Sequence, residues 1–245
     1  MRWIEPNWPA PARVRAVSTT RVGGESRGPY ASLNLGDHVG DDLAAVTQNR
    51  RLLRERLALP AEPHWLRQVH GCAVAGVQLD DPGCEADAAV AFGPGAVCAV
   101  LTADCLPLLL CDRAGTRVAA VHAGWRGLAE GVIEAAVVRL AADPGDLLVW
   151  LGPAIGPAAF EVGGEVRERF LATGGAAAAA AFRPDGGGKW LADIYLLARL
   201  RLRSVGVDGV FGGGLCTWSD PVRFFSYRRD GATGRMASLI WLAAP

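Results

Sequence analysis

Four short apolar runs follow one another in the middle of the chain, and they constrain its fold more than any other feature. They span residues 87–92, 96–101, 106–111 and 117–121. The gaps between them are far shorter than the dozen or so residues that a crossover connection between parallel strands requires. Strands joined in this way favour an antiparallel or mixed sheet with helices packed outside it, which is an α+β architecture.

The rest of the chain fits the same organisation, with strands outnumbering helices. Periodicity and capping residues predict helices at 41–57, 128–142, 163–172 and 193–205, the first capped by Asp41 or Asp42 and the last by Asp193. Further strands are predicted at 14–20, 64–69, 73–79, 147–151, 207–211, 224–227 and 236–242. Because no linker interrupts this series, we expect one domain over residues 1–245.

Composition excludes several classes of protein. Lys and Arg together number 25, as do Asp and Glu, so no global charge indicates binding to nucleic acid or to an anionic membrane. No apolar run reaches the length of a membrane span, and the first residues lack the apolar core of a secretory signal. The six cysteines form no CxxC pair and no dense framework, so we expect free thiols and a cytoplasmic protein.

Two histidines and one cysteine occupy related positions in this pattern. His70 and His122 each end a strand-like apolar run and are followed closely by glycine, and Cys105 lies in the turn before the run at 106–111. Imidazole and thiolate are both good ligands for Zn²⁺, and three protein ligands leave a fourth position open for reactants. The spacing matches no zinc-finger pattern, so spacing alone leaves open whether the three residues share a metal.

Six motifs in this sequence resemble one known family. They are "STTRVGGESRGPYASLNLGDHVGDD", "QVHG", "TADCLPLLL", "VHAGWRG", "GPAIGPAAFEVG" and "FFSYRRDGATGRMASLIWL". Together they cover residues 14–242 and resemble the YfiH-type laccase-domain family, whose members are called polyphenol oxidases, purine nucleoside phosphorylases or peptidoglycan editing factors.

The resemblance implies a fold, a metal site and an activity. The implied fold is a layered α-β-β-α sandwich with mixed, largely antiparallel sheets, similar to the catalytic domain of the cytotoxic necrotizing factor toxins. The implied metal triad is His70, Cys105 and His122. The implied activity is zinc-dependent phosphorolysis of adenosine, inosine, guanosine and methylthioadenosine, with adenosine deamination as a second activity. The partners would be a nucleoside and phosphate.

Arginines in glycine-rich or turn-like segments are candidates for holding the phosphate, because the guanidinium fork suits that anion. The candidates are Arg21, Arg126 and Arg228, with Arg126 favoured because it lies four residues after His122. Each could equally be a solvated surface arginine.

Neutral side chains near the motif centres are candidates for reading the nucleoside. Asn34 and Gln68 could bind ribose hydroxyls or the purine edge, although Asn34 could equally hold a turn. The HxE and PCxxC patterns of nucleobase deaminases do not occur in the sequence. We therefore name Asp104, beside Cys105, as a candidate proton carrier, with stabilisation of its own turn as the alternative role.

Two other activities use the same residues. Two histidines and a cysteine can form a copper site, so a laccase-like polyphenol oxidase is one alternative, although a trinuclear cluster would need more imidazoles than His38 and His64 could supply. Alternatively, Cys105 and His122 could be the nucleophile and base of a metal-free hydrolase that acts on peptidoglycan precursors. The sequence does not indicate an oligomeric state.

Overall fold

The computed structural model describes residues 1–244, which form a mixed α+β protein with three sheets, mostly antiparallel, and six α-helices. The strands are β1 (Trp3–Ile4), β2 (Val14–Thr19), β3 (Val74–Gly76), β4 (Ala88–Phe92), β5 (Val97–Thr102), β6 (Leu106–Asp112), β7 (Arg117–Ala123), β8 (Leu147–Leu151), β9 (Glu161–Val162), β10 (Phe182–Pro184), β11 (Trp190–Ala192), β12 (Gly209–Gly212) and β13 (Met236–Leu242). The helices are α1 (Leu43–Leu57), α2 (Trp125–Glu130), α3 (Val132–Leu140), α4 (Gly164–Ala179), α5 (Ile194–Ser204) and α6 (Tyr227–Asp230). Over residues 1–244, no helix has both the length and the apolar character needed to cross a bilayer.

The largest sheet has six strands in the order β12-β8-β6-β7-β4-β3. Its centre is the antiparallel hairpin of β6 and β7, and the outer pairs β12–β8 and β3–β4 are parallel. Every residue of β6 is buried, and so is every residue of β7 except Arg117. Burial of both faces explains why these strands are nearly continuous apolar runs in the sequence.

A second sheet has four antiparallel strands in the order β1-β2-β13-β5, and a third has three in the order β10-β11-β9. Although β4 and β5 are consecutive and joined by a short turn, they lie in different sheets. Ala89 and Ala91 of β4 share one apolar core with Cys98 and Val100 of β5. The short turn therefore carries the chain from one sheet to the sheet that packs against it.

Helices pack on the sides of these sheets away from that shared core. Leu108 and Leu110 of β6 alternate with the residues of the shared core and pack with Ile133 of α3. On the four-stranded sheet, Leu53 of α1 packs with Leu239 of β13. As predicted, Asp42 caps α1 by accepting a hydrogen bond from the Ala44 N–H, and Asp193 caps α5 in the same way through Leu196.

The predicted strand pair at 64–69 and 73–79 is wrong. Only Val74–Gly76 forms a strand, and it pairs with β4, whereas His64 and Arg67 make isolated bridges. The N–H groups of residues 69–71 donate to the Asp87 carboxylate, so they are not available to a strand partner. This segment is therefore a loop fixed by a side chain.

Two further predictions need correction. The helix predicted at 128–142 is two helices, because Gly131 adopts a left-handed conformation with φ of 103° between α2 and α3. The strand predicted at 224–227 does not form. Instead Ser226 accepts a hydrogen bond from the Arg229 N–H and begins the short helix α6.

Candidate metal centre and active site

Cys105 and His122 lie at the same end of the central hairpin. Cys105 directly precedes β6, and the register pairs Leu106 with Ala123 and Pro107 with His122. Antiparallel pairing brings the beginning of one strand beside the end of the next. The hairpin therefore brings these two side chains together, although 17 positions separate them in the sequence.

His70 reaches the same place from the loop between α1 and β3. Its backbone is left-handed, with φ of 62°, a conformation that is uncommon outside glycine. The imidazole Nε2 lies 3.9 Å from the Cys105 Sγ. The His70 and His122 rings meet edge to face, with their centroids 4.8 Å apart.

The three residues form one group that could bind a metal ion. Their ligand atoms all lie within 4.8 Å of one another, and their exposure falls from His70 through Cys105 to His122. The donor set of two imidazoles and one thiolate fits Zn²⁺ and also fits copper. The separation between these side chains is thus compatible with the shared site that spacing alone left open.

Asp87 is a site residue that the sequence did not single out. It is fully buried directly before β4, and its carboxylate accepts a hydrogen bond from His122 Nδ1 at 2.7 Å. The only available signal was a lone acid at the head of a run that is otherwise apolar, "DAAVAF". Because Nδ1 is bound to Asp87, His122 can offer only Nε2 to a metal or to Cys105.

The charges of the metal-free group stabilise one another. Burial opposes ionisation of Cys105, but the His122 and His70 imidazoles outweigh it and lower the pKa of the thiol to about 6. Burial also opposes protonation of His122, but the Cys105 thiolate and the Asp87 carboxylate raise the pKa of its ring to about 9. At neutral pH the group is therefore a thiolate beside an imidazolium, and the thiolate is the form that binds metals.

Glycine permits this close packing. A Cβ at Gly124 would lie 2.7 Å from His70 Cδ2 and 3.2 Å from Cys105 Sγ. A Cβ at Gly127 would lie 2.7 Å from the Gly71 carbonyl oxygen. The glycines of "HAGWRG" thus leave room for the His70 loop beside the hairpin.

A cavity of about 240 Å³ opens beside the group. His70 and Cys105 form part of its wall, and aromatic and apolar side chains form much of the remainder. The other lining residues are Ala103, Asp104, Trp125, Arg126, Ile155, Phe160, Ile194, Tyr227 and Arg228. A cleft lined mainly by apolar and aromatic side chains, with a few polar groups among them, is typical of a small-molecule site.

Asp104 lines this cavity, but its carboxylate has partners on both oxygens. One oxygen accepts from the Thr217 hydroxyl at 2.6 Å, and the other accepts from the Arg228 N–H at 2.7 Å. Its backbone φ of 93° is left-handed. The side chain thus joins the Cys105 turn to two distant segments of the chain.

Two of the three candidate arginines face the cavity. The Arg126 guanidinium lies over the Trp125 ring, 4.5 Å from its centroid, and within residues 1–244 it has neither a hydrogen bond nor a salt bridge. Arg228 donates one hydrogen bond to the Glu161 carbonyl, and its guanidinium approaches the Phe160 ring. Both side chains therefore keep N–H groups available for an anion.

The side chains of the candidates Arg21 and Gln68 form hydrogen bonds with backbone groups. Arg21 donates to the carbonyls of Ala31 and Pro221, and burial lowers the pKa of its guanidinium. The Gln68 amide bonds to both the N–H and the carbonyl of Leu101.

Asn34 is fully buried, and its amide bonds to the backbone of Gly36 and Arg235 and to the Asp41 carboxylate. The structure thus gives Asn34 the turn-holding contacts that were its alternative role, and it does not bring Asn34, Arg21 or Gln68 into the cavity wall.

Comparisons with known proteins show the family to which the chain belongs. Residues 15–243 match the family model described as "Multi-copper polyphenol oxidoreductase laccase". A purine nucleoside phosphorylase of Pseudomonas aeruginosa is 59% identical over 98% of both chains, and the purine nucleoside phosphorylase YfiH of Escherichia coli is 56% identical over 98% of both.

Solved structures show the same architecture. The Neisseria meningitidis protein NMB0706 superposes with a TM-score of 0.95 at 50% identity, covering 100% of both chains. YlmD of Geobacillus stearothermophilus superposes with a TM-score of 0.93 at 34% identity, and the match covers 100% of this chain and 97% of the YlmD chain. The chain therefore belongs to the multi-copper polyphenol oxidoreductase laccase family, which is the YfiH-type family that the six motifs resemble.

Proposed function

We propose that this chain is a zinc-dependent purine nucleoside phosphorylase with adenosine deamination as a second activity. The observation that carries the proposal is the convergence of the ligand atoms of His70, Cys105 and His122 within 4.8 Å, beside a cavity that His70 and Cys105 line. The names of the Pseudomonas and Escherichia relatives, at 59% and 56% identity, support phosphorolysis of purine nucleosides as the reaction. Adenosine, inosine, guanosine and methylthioadenosine remain the proposed substrates.

The proposed zinc ligands are the Nε2 atoms of His70 and His122 and the Cys105 thiolate. A bound zinc ion would supply positive charge and could lower the pKa of a bound water to about 7, which suits deamination. The two imidazoles and the thiolate with its lowered pKa are ligand types that catalytic zinc sites use, and the carboxylate behind His122 is the kind of partner that orients a histidine ligand.

In phosphorolysis a phosphate oxygen forms a bond to the ribose C1′ while the bond from C1′ to the purine nitrogen breaks. The phosphate must be held against the sugar while positive charge develops on the ring. We propose that Arg126 and Arg228 hold the phosphate through their free N–H groups. Trp125 and Phe160 offer aromatic surface of the kind on which a purine stacks.

Asp104 has two proposed roles, which one variant separates. If it carries a proton during turnover, Asp104→Asn should lose most of kcat and still bind zinc. If its contacts with Thr217 and Arg228 hold the Cys105 turn, the same variant should lose zinc. The contacts of both oxygens favour the second role.

A thiol hydrolase that acts on peptidoglycan precursors is a second candidate, and the position of Asp87 favours it. His122 lies between Cys105 and Asp87, which is the order of a nucleophile, its base and the group that orients the base. This candidate requires activity in protein without metal. Alkylation of Cys105 should then abolish turnover that survives complete removal of zinc.

The deciding experiment strips the protein with a chelator, restores one equivalent of zinc or copper, and assays adenosine with and without phosphate. We expect adenine and ribose 1-phosphate only with metal and phosphate together, and inosine when phosphate is absent. Zinc-loaded protein that yields no adenine would overturn the phosphorylase proposal. A strong visible copper–thiolate band at stoichiometric copper, together with oxidation of a phenol, would favour the polyphenol oxidase alternative.

We infer that the fold is the layered α-β-β-α sandwich and a single domain. This inference is supported by the apolar core shared between β4 and β5 and by the packing of α1 and α3 on the other sides of their sheets. The six unpaired cysteines support the proposed cytoplasmic location, where thiols remain reduced.

A further inference from the structure

Asp87 is a buried carboxylate that has no place among the proposed metal ligands. Its side chain has no solvent exposure, and burying a charge is costly unless hydrogen bonds compensate it. Four donors compensate it here. They are the N–H groups of Val69 at 3.1 Å, His70 at 3.0 Å and Gly71 at 2.7 Å, and His122 Nδ1 at 2.7 Å.

The bond to His122 selects one form of the imidazole. A carboxylate only accepts hydrogen bonds, so Nδ1 must carry the proton that it donates to Asp87. In a neutral imidazole Nε2 then carries a lone pair, and Nε2 is the nitrogen on the side of Cys105 and His70. When the imidazolium gives up one proton on metal binding, Asp87 therefore keeps the other proton on Nδ1, and Nε2 is the nitrogen that becomes free to bind the metal.

The bonds to the backbone place the second histidine. His70 has a left-handed φ of 62°, which costs conformational energy and persists only where surrounding contacts enforce it. The three consecutive N–H groups on Asp87 supply such contacts. One carboxylate thus positions both imidazoles, one through its ring and the other through its backbone.

We propose that Asp87 is the positioning residue of the metal centre, which fixes the tautomer of His122 and the loop conformation of His70 together. The proposal rests on the zinc site of the proposed function and deepens it. Asp87 lies behind His122, lines no part of the cavity, and acts only through the two histidines.

Asp87→Asn keeps the shape of the side chain but removes its ability to fix both the His122 tautomer and the His70 loop. Its amide has one acceptor and one donating nitrogen in place of two acceptors. If the nitrogen faces His122, Nδ1 must accept, and the proton moves to Nε2, where it blocks the metal. If the nitrogen faces Val69 and Gly71, it opposes two N–H donors, and the His70 loop is released.

The experiment measures zinc affinity by competition with a chromophoric chelator for wild type, Asp87→Asn and a matched control, Asp112→Asn. Asp112 is also a buried aspartate, only 6% exposed, and its carboxylate holds a turn through Thr116 and the Arg117 N–H. We expect zinc affinity to fall about 10- to 100-fold in Asp87→Asn, the usual effect of removing a partner behind a metal ligand. Asp112→Asn should bind zinc as wild type does, although both variants lose stability.

Zinc binding by Asp87→Asn within about twofold of wild type would overturn the proposal, and so would an equal loss in Asp112→Asn. If Asp87→Asn does not fold, nitrogen-15 NMR of histidine-labelled, zinc-loaded wild type tests the same point. His122 should carry its proton on Nδ1 and none on Nε2, with His38→Gln and His64→Gln used to assign the other signals. A proton on Nε2 of His122 would exclude the role.

These measurements need no nucleoside, so they separate the two proposals. If wild type binds zinc tightly but releases no adenine from adenosine, the phosphorylase proposal fails and the role of Asp87 stands on its own result. If Asp87→Asn binds zinc normally and releases adenine, the role of Asp87 fails and the phosphorylase proposal is unaffected.

Discussion

Within residues 1–244, two thiol–imidazole pairs have the same separation, and only one of them lies in a candidate metal centre. Cys84 Sγ lies 3.9 Å from His64 Nε2, and Cys105 Sγ lies 3.9 Å from His70 Nε2. Both cysteines are partly buried and unpaired. The distance between sulfur and nitrogen therefore does not distinguish the two pairs.

Their surroundings do distinguish them. Burial raises the pKa of Cys84, with Asp80 adding to it, and burial lowers the pKa of His64. Both groups of that pair are thus pushed toward their neutral forms. In the other pair Cys105 has a pKa lowered to about 6, because His122 and His70 outweigh the opposing effect of burial.

The comparison shows what a third donor and a buried carboxylate contribute. His122 adds a second imidazole beside Cys105, and Asp87 holds it there. Within residues 1–244, His64 and Cys84 belong to no group of three potential ligands. A thiolate ready for a metal therefore depends on the arrangement of four residues, and a close pair is insufficient.

The largest predicted difference is between Cys105→Ser and Cys84→Ser. Cys105→Ser removes a metal ligand, whereas loss of a residue that hydrogen-bonds to a ligand weakens metal affinity by about 10- to 100-fold. Cys105→Ser should therefore weaken zinc binding by more than about 100-fold. It should also abolish adenine release from adenosine. Cys84→Ser should retain both properties, as measured by chelator competition and by a phosphate-dependent assay. Equal loss in the two variants would mean that the pairs are equivalent.

A smaller effect is expected from added bulk at the centre. Gly124→Ala places a Cβ 2.7 Å from His70 Cδ2, so the imidazole must move. Displacements of this kind cost activity by about 10- to 100-fold. Gly164→Ala is the control, since a Cβ there meets no atom within 4 Å. Steady-state kinetics should show the loss only in Gly124→Ala, and unchanged kcat/KM there would contradict the tight packing of the site.

An arginine near each pair sharpens the comparison further. Arg126 lines the cavity with a free guanidinium, whereas Arg67, next to the other pair, forms a salt bridge with Glu85 at 2.7 Å. Arg126→Gln should raise KM for phosphate by about tenfold, the low end expected for losing a charged hydrogen bond. Arg67→Gln should leave that KM unchanged. A normal KM for phosphate in Arg126→Gln would exclude Arg126 as a phosphate ligand.

The smallest predicted difference is between the alkylation rates of Cys105 and Cys84 in metal-free protein. Mass spectrometry of the peptides that contain each cysteine measures these rates. With a pKa of about 6, Cys105 is largely thiolate at pH 7, so its alkylation rate should level off above that pH. The pKa of Cys84 is raised, so its rate should still increase at pH 9. At pH 7 Cys105 should react faster, but by less than its thiolate fraction alone would give, since a thiolate of low pKa is a weaker nucleophile. Matching pH profiles would show that the two thiols have similar pKa values.

The sequence predicted the parts of the site that depend on local pairing. The two apolar runs and the turn between them define the hairpin of β6 and β7, and antiparallel register then brings Cys105 and His122 together. The position of His70 before a glycine made it a candidate third ligand, but only the family resemblance implied that it joins Cys105 and His122 in one metal site. Its position depends on a left-handed residue and on bonds to Asp87, neither of which produces a periodic pattern.

Other parts of the site could not be predicted because one residue type serves two purposes. Asn34 and Gln68 are the polar types that bind ligands, and they are also the types that hold loops. Their amides bond to backbone groups here. The break at Gly131 was missed for a related reason, because a glycine inside an apolar helical pattern does not by itself reveal a positive φ.

The order of the three ligands along the chain has a consequence for how the centre assembles during folding. Cys105 and His122 face each other at the open end of one hairpin, and closing this shorter loop costs less entropy than closing the longer loop to His70. His70 lies 35 positions before Cys105 and reaches it only when its own loop docks. We expect refolding chains to gain a two-coordinate site first, so zinc added early would be captured loosely and then enclosed.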